Sequence, residues 1–296
     1  MRVVRGKSHG IIAVLHPGEM GAAVGRCLTG SGHQVLWASQ GRGTATAARA
    51  GAAGLADAGS IEEVVGRAEI IMSICPPHAA VDVARAVAGF AGTYVDANAI
   101  SPTTAREVAA VIEAGGAGYV DGGIIGAPPV APGTTRFYLS GPRAGSVRDL
   151  FSGTVLDARV VVAGELTAAS AVKMAYAAWT KGTAALLLAV RAMARADGVE
   201  ADLLGEWALS QPRREARSAR AAGSAGSNGW RWAGEMEEIA ASMIEAGLPG
   251  GFHQAAAEIF RRAPRLGPAA TDEEALDAIL AALAPARAVS RPRAPG

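Results

Sequence analysis

From Ile11 to about Gly164 the chain alternates short apolar, β-favouring runs with stretches of helical character, and after Gly164 the strand signals stop. Alternation of this kind is the pattern of βαβ units over a parallel sheet, whereas an unbroken series of helical stretches builds a helical body. Strands are expected at Ile11–Leu15, Gln34–Ala38, Ile70–Cys75, Tyr94–Ala97, Tyr119–Gly122, Arg136–Leu139 and Arg159–Val162. Between them, Met20–Thr29, Ile61–Arg67, Ala79–Gly89, Thr103–Ala114 and Ala144–Phe151 read as helices, with Ser60 and Ser101-Pro102 as start signals.

The second half begins with one long helix, Thr167 to about Ala196, which stops at Asp197-Gly198. It is apolar nearly all round and spans roughly 45 Å at about 1.5 Å per residue, so it must be buried on most sides, bridge two domains or be covered by a second subunit. Shorter helices are expected near Glu200–Ser210, Ala233–Ala246, Gly251–Arg262 and Asp272–Ala284, with a flexible loop over the Ser/Gly/Ala stretch Ser218–Gly229. The expected organisation is a first domain over 1–164, a helical substrate and dimerisation domain over 165–285, and a disordered Pro/Arg-rich tail over 286–296.

Composition removes several functional classes. The 28 basic and 27 acidic residues are interspersed and sum to a formal charge of +1, which gives no footprint for a polyanion or an anionic membrane surface. No nucleic-acid or membrane partner is expected. The longest apolar runs, Ile11–Leu15 and Ala184–Val190, fall short of the ~18 to 20 residues of a membrane-spanning helix. The basic segment Met1–Lys7 leads into an apolar run that ends at His16-Pro17, so it lacks a signal-peptide core and a cytoplasmic location is expected. Cys27 and Cys75 are too few and too far apart for a disulfide framework, and His78 and His253 lack neighbouring ligand residues, so no metal site is expected.

The strand at Ile11–Leu15 runs into His16-Pro17-Gly18-Glu19-Met20-Gly21 and then a helix, the order of a pyrophosphate-binding turn. Glycines there let backbone approach the phosphates, and the helix N-terminus offers free N–H groups. Only Gly18 and Gly21 match the dinucleotide fingerprint; His16 stands at its first glycine. An acid about 20 residues on would favour NAD, yet no Asp or Glu occurs between Glu19 and Asp57, and the second strand ends in Ala38-Ser39-Gln40-Gly41-Arg42. The Ser39 hydroxyl and the Arg42 guanidinium suit a 2′-phosphate, so NADP(H) is the expected cofactor. The expected architecture is therefore an α/β Rossmann domain followed by an all-α C-terminal domain, joined by a long inter-domain helix.

Gly18-Glu19-Met20-Gly21, the segment Val95-Asp96-Ala97-Asn98-Ala99-Ile100-Ser101-Pro102, the segment Val120-Asp121-Gly122-Gly123-Ile124-Ile125-Gly126-Ala127-Pro128 and the helix around Lys173 together resemble the β-hydroxyacid dehydrogenase and 6-phosphogluconate dehydrogenase superfamily, including its imine-reductase branch. The resemblance implies hydride transfer with NAD(P)(H) and a homodimer with active sites between domains. It adds Cys75, Pro76, Pro77 and Asn98 to the cofactor lining, and Ile124, Ile125, Gly126 and Ala127 to the substrate side. The family's hydroxyacid enzymes carry a serine ahead of paired glycines where this chain has Ile124-Ile125-Gly126-Ala127, and an asparagine three to four residues after the lysine where it has Tyr176-Ala177. The loop looks more like the imine-reductase version, although imine reductases usually replace the lysine that is kept here.

Lysine is scarce: Lys7, Lys173 and Lys181 stand against 25 arginines. Ser170, Lys173, Tyr176 and Thr180 share one face of the otherwise apolar long helix, and polar groups on a buried helix need partners or a wet cleft. Lys173 and Tyr176 are accordingly the candidate catalytic residues, either of which can handle the proton that accompanies hydride transfer. Asp121 is expected to anchor backbone at a strand end. Trp179, Thr180, Trp207 and Trp232 are candidates to line a pocket for a large, flat small-molecule substrate. The sequence reading is an NADPH-dependent reductase of a C=N bond, with NADP-dependent 3-hydroxyacid oxidation and a non-catalytic NADP(H)-binding protein as alternatives.

Overall fold

Each apolar run of the first half forms a strand in a single sheet of the computed structural model, which describes residues 10–161, 165–267 and 269–284. The chain divides into two compact units, Met1–Ala175 and Tyr176–Gly296. The expected tail over 286–296 and the basic segment Met1–Lys7 lie outside the described residues.

In the first unit the elements run β1 (Ile12–Val14), α1 (Glu19–Gly30), β2 (Val35–Trp37), α2 (Thr44–Ala52), β3 (Ala56–Asp57), α3 (Ile61–Arg67), β4 (Ile70–Ser73), α4 (Ala80–Ala86), β5 (Thr93–Asp96), α5 (Pro102–Ala114), β6 (Gly118–Ile125), β7 (Arg136–Ser140), α6 (Ala144–Asp149) and β8 (Asp157–Val160). The sheet order is β3-β2-β1-β4-β5-β6-β7-β8, with β7 antiparallel to β6 and the other neighbours parallel. The order from β3 to β6 reverses direction between β1 and β4, which opens a crevice at the carboxyl ends of those strands. Both faces of the sheet are covered, so the strands read as continuous apolar runs. Val14, Met72, Val95, Val120 and Phe137 pack on one face, and Leu15, Leu36, Ile71, Tyr94 and Tyr119 on the other.

The side chains of Ser60 and Ser101 accept from the amides of Glu63 and Thr104, and so cap α3 and α5 as their positions promise. Two elements carry no such signal. Helix α2 buries only Ala50, and β3 is two exposed residues held in place by pairing Asp57 with Trp37.

Helix α7 (Ala168–Ala196) crosses the division between the units. The second unit continues with α8 (Glu200–Ser210), α9 (Arg214–Glu245), α10 (Gly251–Arg262) and α11 (Asp272–Leu283). The stretch Ser218–Gly229, expected as a flexible loop, is the middle of the 32-residue helix α9. Its small residues form the buried face: a Cβ on Gly226 would lie 2.8 Å from the Leu266 side chain, and one on Gly223 would overlap Asp272. Glycine is kept there for close approach of neighbouring chain, and tertiary packing overrides its poor helix propensity. Arg191, 4% exposed, fixes α7 to α8 and α9 by donating to Glu200 Oε1 at 2.6 and 2.8 Å and to Ser218 Oγ at 2.8 Å.

The long helix is less fully covered than its composition suggests. Trp179, Leu186 and Met193, seven residues apart, are 70%, 48% and 62% exposed, so an apolar stripe of α7 faces outward. Among the described residues no helix is long and apolar enough to cross a membrane, and no group of three or more His, Cys, Asp or Glu is placed to hold a metal ion.

Candidate active site

The turn from β1 to α1 is shaped by backbone contact. Gly18 N–H donates to the His16 carbonyl at 2.8 Å, and any side chain on Gly21 would overlap that same oxygen. Gly18 caps α1 without a side-chain bond, and a Cβ built on it would meet nothing within 4 Å, so its outer side is open. Pro17 is buried, whereas Glu19 is exposed and Met20 packs partly against the core. The His16 ring is largely buried with Nδ1 unpartnered; desolvation, with a smaller push from the Arg42 charge, lowers its pKa to about 4. It is a neutral imidazole at physiological pH.

His16 and Arg42 line one cavity of about 350 Å³ together with Leu15, Ala38, Gln40 and Ile61. Arg42 makes no ion pair among the described residues, and its amide donates to the Ser39 carbonyl at 3.0 Å. The fold brings in one acid that linear spacing does not show: Asp57, on β3, sits beside Ser39, and the Gly59 amide and Ser39 hydroxyl hold its carboxyl below the usual range. Ser39 is thus turned toward Asp57, whereas Arg42 lines the cavity. Arg49 was not singled out from the sequence. From α2 its Nε donates to the Pro17 carbonyl at 3.4 Å, which sets a second guanidinium against the turn.

At the ends of β4 and β5, Asn98 is buried and fully engaged. Its Oδ1 accepts from the Cys75 amide at 2.6 Å, its Nδ2 donates to Ser73 Oγ at 3.2 Å, and its own amide donates to Asp96 Oδ1 at 2.8 Å. Asn98 thus shapes the Cys75-Pro76-Pro77 turn from behind. Burial pushes the Cys75 thiol up to about 12, so it is not a nucleophile at neutral pH. Asp96 is fully buried with Oδ2 unpartnered, and burial, with Asp121 adding repulsion, raises its carboxyl to about 7.

On β6 the side chains of Ile124 and Ile125 are buried, while Gly126 and Ala127 are exposed just beyond it. Lys173, on the first turns of α7, donates from Nζ to the Ile124 carbonyl at 2.8 Å. That bond uses one of the ammonium's three protons and leaves two donors for other groups. The first unit so gathers, at the carboxyl ends of its strands, the dinucleotide turn, the Cys75 turn, the end of β6 and Lys173.

In the second unit Tyr176 and Trp179 are exposed, and the Thr180 hydroxyl donates back to the Tyr176 carbonyl at 3.0 Å. Trp232 packs edge-to-face on Phe260 at 5.2 Å, with Lys181 Nζ 5.3 Å from its ring and ion-paired to Glu235. Trp207 is 9% exposed and is part of the helical core. The Lys181–Glu235 pair carries no short-range sequence signal, because its members lie 54 residues apart.

The cavity, the open side of Gly18, the unpartnered His16 nitrogen and Arg42, without an ion pair among the described residues, fit a phosphate-bearing dinucleotide, and Lys173 stands by the strand ends. Fold and site define an NAD(P)-dependent oxidoreductase. Residues 11–150 match the NAD binding domain of 6-phosphogluconate dehydrogenase, and residues 194–263 match a domain of unknown function, DUF1932. A conserved protein of unknown function, MTH1747, whose structure is described as similar to 3-hydroxyacid dehydrogenases, is 26% identical, with 85% of this chain and 96% of that one covered and a TM-score of 0.63. Mycobacterium tuberculosis 3-hydroxyisobutyrate dehydrogenase, solved with L-serine, shares the fold at 20% identity over 90% of this chain and 98% of its own, TM-score 0.66. A reductive aminase from Aspergillus terreus, solved with NADPH, cyclohexanone and allyl amine, shares it at 22% identity over 91% and 99%, TM-score 0.54. No curated protein matches the chain. The match over residues 11–150 and the shared fold support membership of the β-hydroxyacid dehydrogenase superfamily, with a helical C-terminal domain.

Proposed function

We propose that the protein is an NADPH-dependent reductase of a C=N bond in an apolar substrate, acting as a homodimer. The observation that carries the substrate class is the end of β6: beside Lys173 it offers isoleucines and an exposed Gly126-Ala127, with no side-chain hydroxyl to receive a carboxylate. The reductive aminase that shares the fold was solved with a ketone and an amine, which fits this reading. Retention of Lys173, already oriented by the Ile124 carbonyl, favours a second reading, NADP-dependent oxidation of a 3-hydroxy acid.

The bound dinucleotide would supply the hydride. The chain's own residues bind, orient and move the proton. Arg42 would hold the 2′-phosphate, the α1 N-terminus and Arg49 would hold the pyrophosphate, and Asn98 keeps the Cys75-Pro76-Pro77 turn in shape. Tyr176 gives its phenolic proton to the substrate nitrogen, and Lys173 donates its free N–H bonds beside it. The deciding experiment follows NADPH absorbance with a panel of cyclic imines, and NADP⁺ reduction with a panel of 3-hydroxy acids. Turnover of hydroxy acids alone overturns the first reading in favour of the second.

Coenzyme preference is tested separately. NADPH should bind at least about ten times more tightly than NADH, a difference of ~1.4 kcal/mol, and Arg42→Ala should weaken mainly NADPH. Equal affinities in the unaltered protein, measured by quenching of intrinsic tryptophan fluorescence, would remove Arg42 from this role.

The homodimer reading rests on the Trp179, Leu186 and Met193 stripe, whose spacing of seven residues gives a continuous seam for a second copy. Sedimentation at micromolar concentration should show a dimer, and Leu186→Glu should shift it to monomer. A stable, active monomer of the unaltered protein contradicts the proposal.

A further inference from the structure

Two side chains from the sheet accept amide hydrogens of the first turn of helix α7. Ser140 Oγ, at the end of β7, accepts the Ala169 amide at 2.9 Å and gives its single proton to the Leu166 carbonyl at 2.9 Å or to Asp121 Oδ2 at 3.1 Å. Asp121, on β6, accepts the Ser170 amide on Oδ2 at 2.8 Å and the Ser170 hydroxyl on Oδ1 at 2.6 Å. All three side chains are buried. A carboxylate at a helix N-terminus meets unsatisfied N–H groups and the positive end of the helix dipole, so this is a strong site for a negative group. The contact continues one turn on. A Cβ on Gly123 would lie 2.7 Å from the Ala169 carbonyl and 2.9 Å from Lys173 Cβ, so β6 and α7 touch backbone to backbone, and Lys173 Nζ then reaches Ile124 on the same strand.

We infer that Asp121, with Ser140 and Ser170, is a positioning device for Lys173: it locks the first turn of α7 to β6 and thereby fixes where the ammonium stands. The inference rests on the reading that Lys173 takes part in the reaction, but the lock itself is a statement about geometry. Asp121 acts through α7 and touches no reacting atom. Asparagine at 121 would replace one of the two accepting oxygens by a donor facing donors, and alanine at 170 would remove the hydroxyl bond while leaving the amide.

The chain has only three lysines, and this makes a direct test possible. Trace acetylation of the intact protein by acetic anhydride at pH 8, read by peptide mass spectrometry, reports the relative reactivity of Lys173 and Lys181 in one sample. Asp121→Asn and Ser170→Ala should each raise the Lys173 rate about five-fold or more, as expected when a protected contact opens locally, with the Lys181 rate unchanged. An unchanged Lys173 rate in the folded variants overturns the inference. So does a joint rise of Lys173 and Lys181, which would mean general loosening. Should Asp121→Asn fail to fold, the milder Ser170→Ala decides. If Lys173→Met leaves turnover of the imine and hydroxy-acid panels intact while the labelling shift is seen, the functional reading falls and the lock stands.

Discussion

Tyr176→Phe should lower kcat for a neutral imine by roughly 10² or more, the usual contribution of a positioned general acid. The loss should be much smaller for a substrate that carries a fixed positive charge, because such a substrate needs no proton before it accepts hydride. Lys173→Met should be milder than Tyr176→Phe on the imine and nearly abolish oxidation of any hydroxy acid, where the departing hydroxyl proton needs an acceptor. Both effects are read from steady-state NADPH absorbance. If Tyr176→Phe leaves imine turnover intact while Lys173→Met eliminates it, Lys173 is the proton donor and the roles assigned above are exchanged.

The second large effect concerns stability and pH. Asp96 is buried in the sheet with Oδ2 unpartnered, and its carboxyl is raised to about 7 from an unfolded value near 4 by burial and by repulsion from Asp121; the Tyr94 and Tyr119 hydroxyls and the Cys75 thiol also lie close by. Between these values the folded state holds a proton that the unfolded state has released. The contribution is therefore fully present below about pH 4 and is lost as pH rises through about 7. Asp121, also raised by burial, acts in the same direction. Asp96→Asn keeps an acceptor for the Asn98 amide and cannot ionise. It should be more stable than the unaltered protein at pH 8, by up to about 4 kcal/mol for a shift of about three units, and close to it at pH 4. Urea unfolding of both proteins at the two pH values measures this. Equal slopes with pH would show that Asp96 is not the group responsible.

Much of the architecture was legible because the signals involved are local. The seven expected strands all form, although the last residue anticipated for one of them, Val162, lies outside the described residues. Ser60, Ser101 and Pro102 start helices where their chemistry places them. What the sequence hid depends on partners distant along the chain. Helix α2 has a single buried alanine and so no apolar period, and β3 exists only because β2 lies beside it. Asp57 escaped notice for the same reason: a carboxylate 18 positions after Ser39 is brought to it by sheet pairing. In the site, the polar face of α7 was visible as a spacing, but the partners that satisfy it, Asp121 for Ser170 and a main-chain carbonyl for Lys173, come from β6 and leave no mark near position 170. Asp121 itself was legible as a residue that holds backbone.

The glycine-lined middle of α9 bears on how the second unit comes into being. A segment this rich in Gly and Ser has little tendency to coil by itself, and its turns are held by residues that arrive later in the chain, Phe260, Leu266 and Asp272. The helical half therefore cannot assemble progressively as the chain emerges. Its longest helix, which ends at Glu245, must wait for the chain as far as Asp272, and then it closes with that segment in one cooperative event. Truncation ahead of Leu266 would unravel not the end of the unit but its centre.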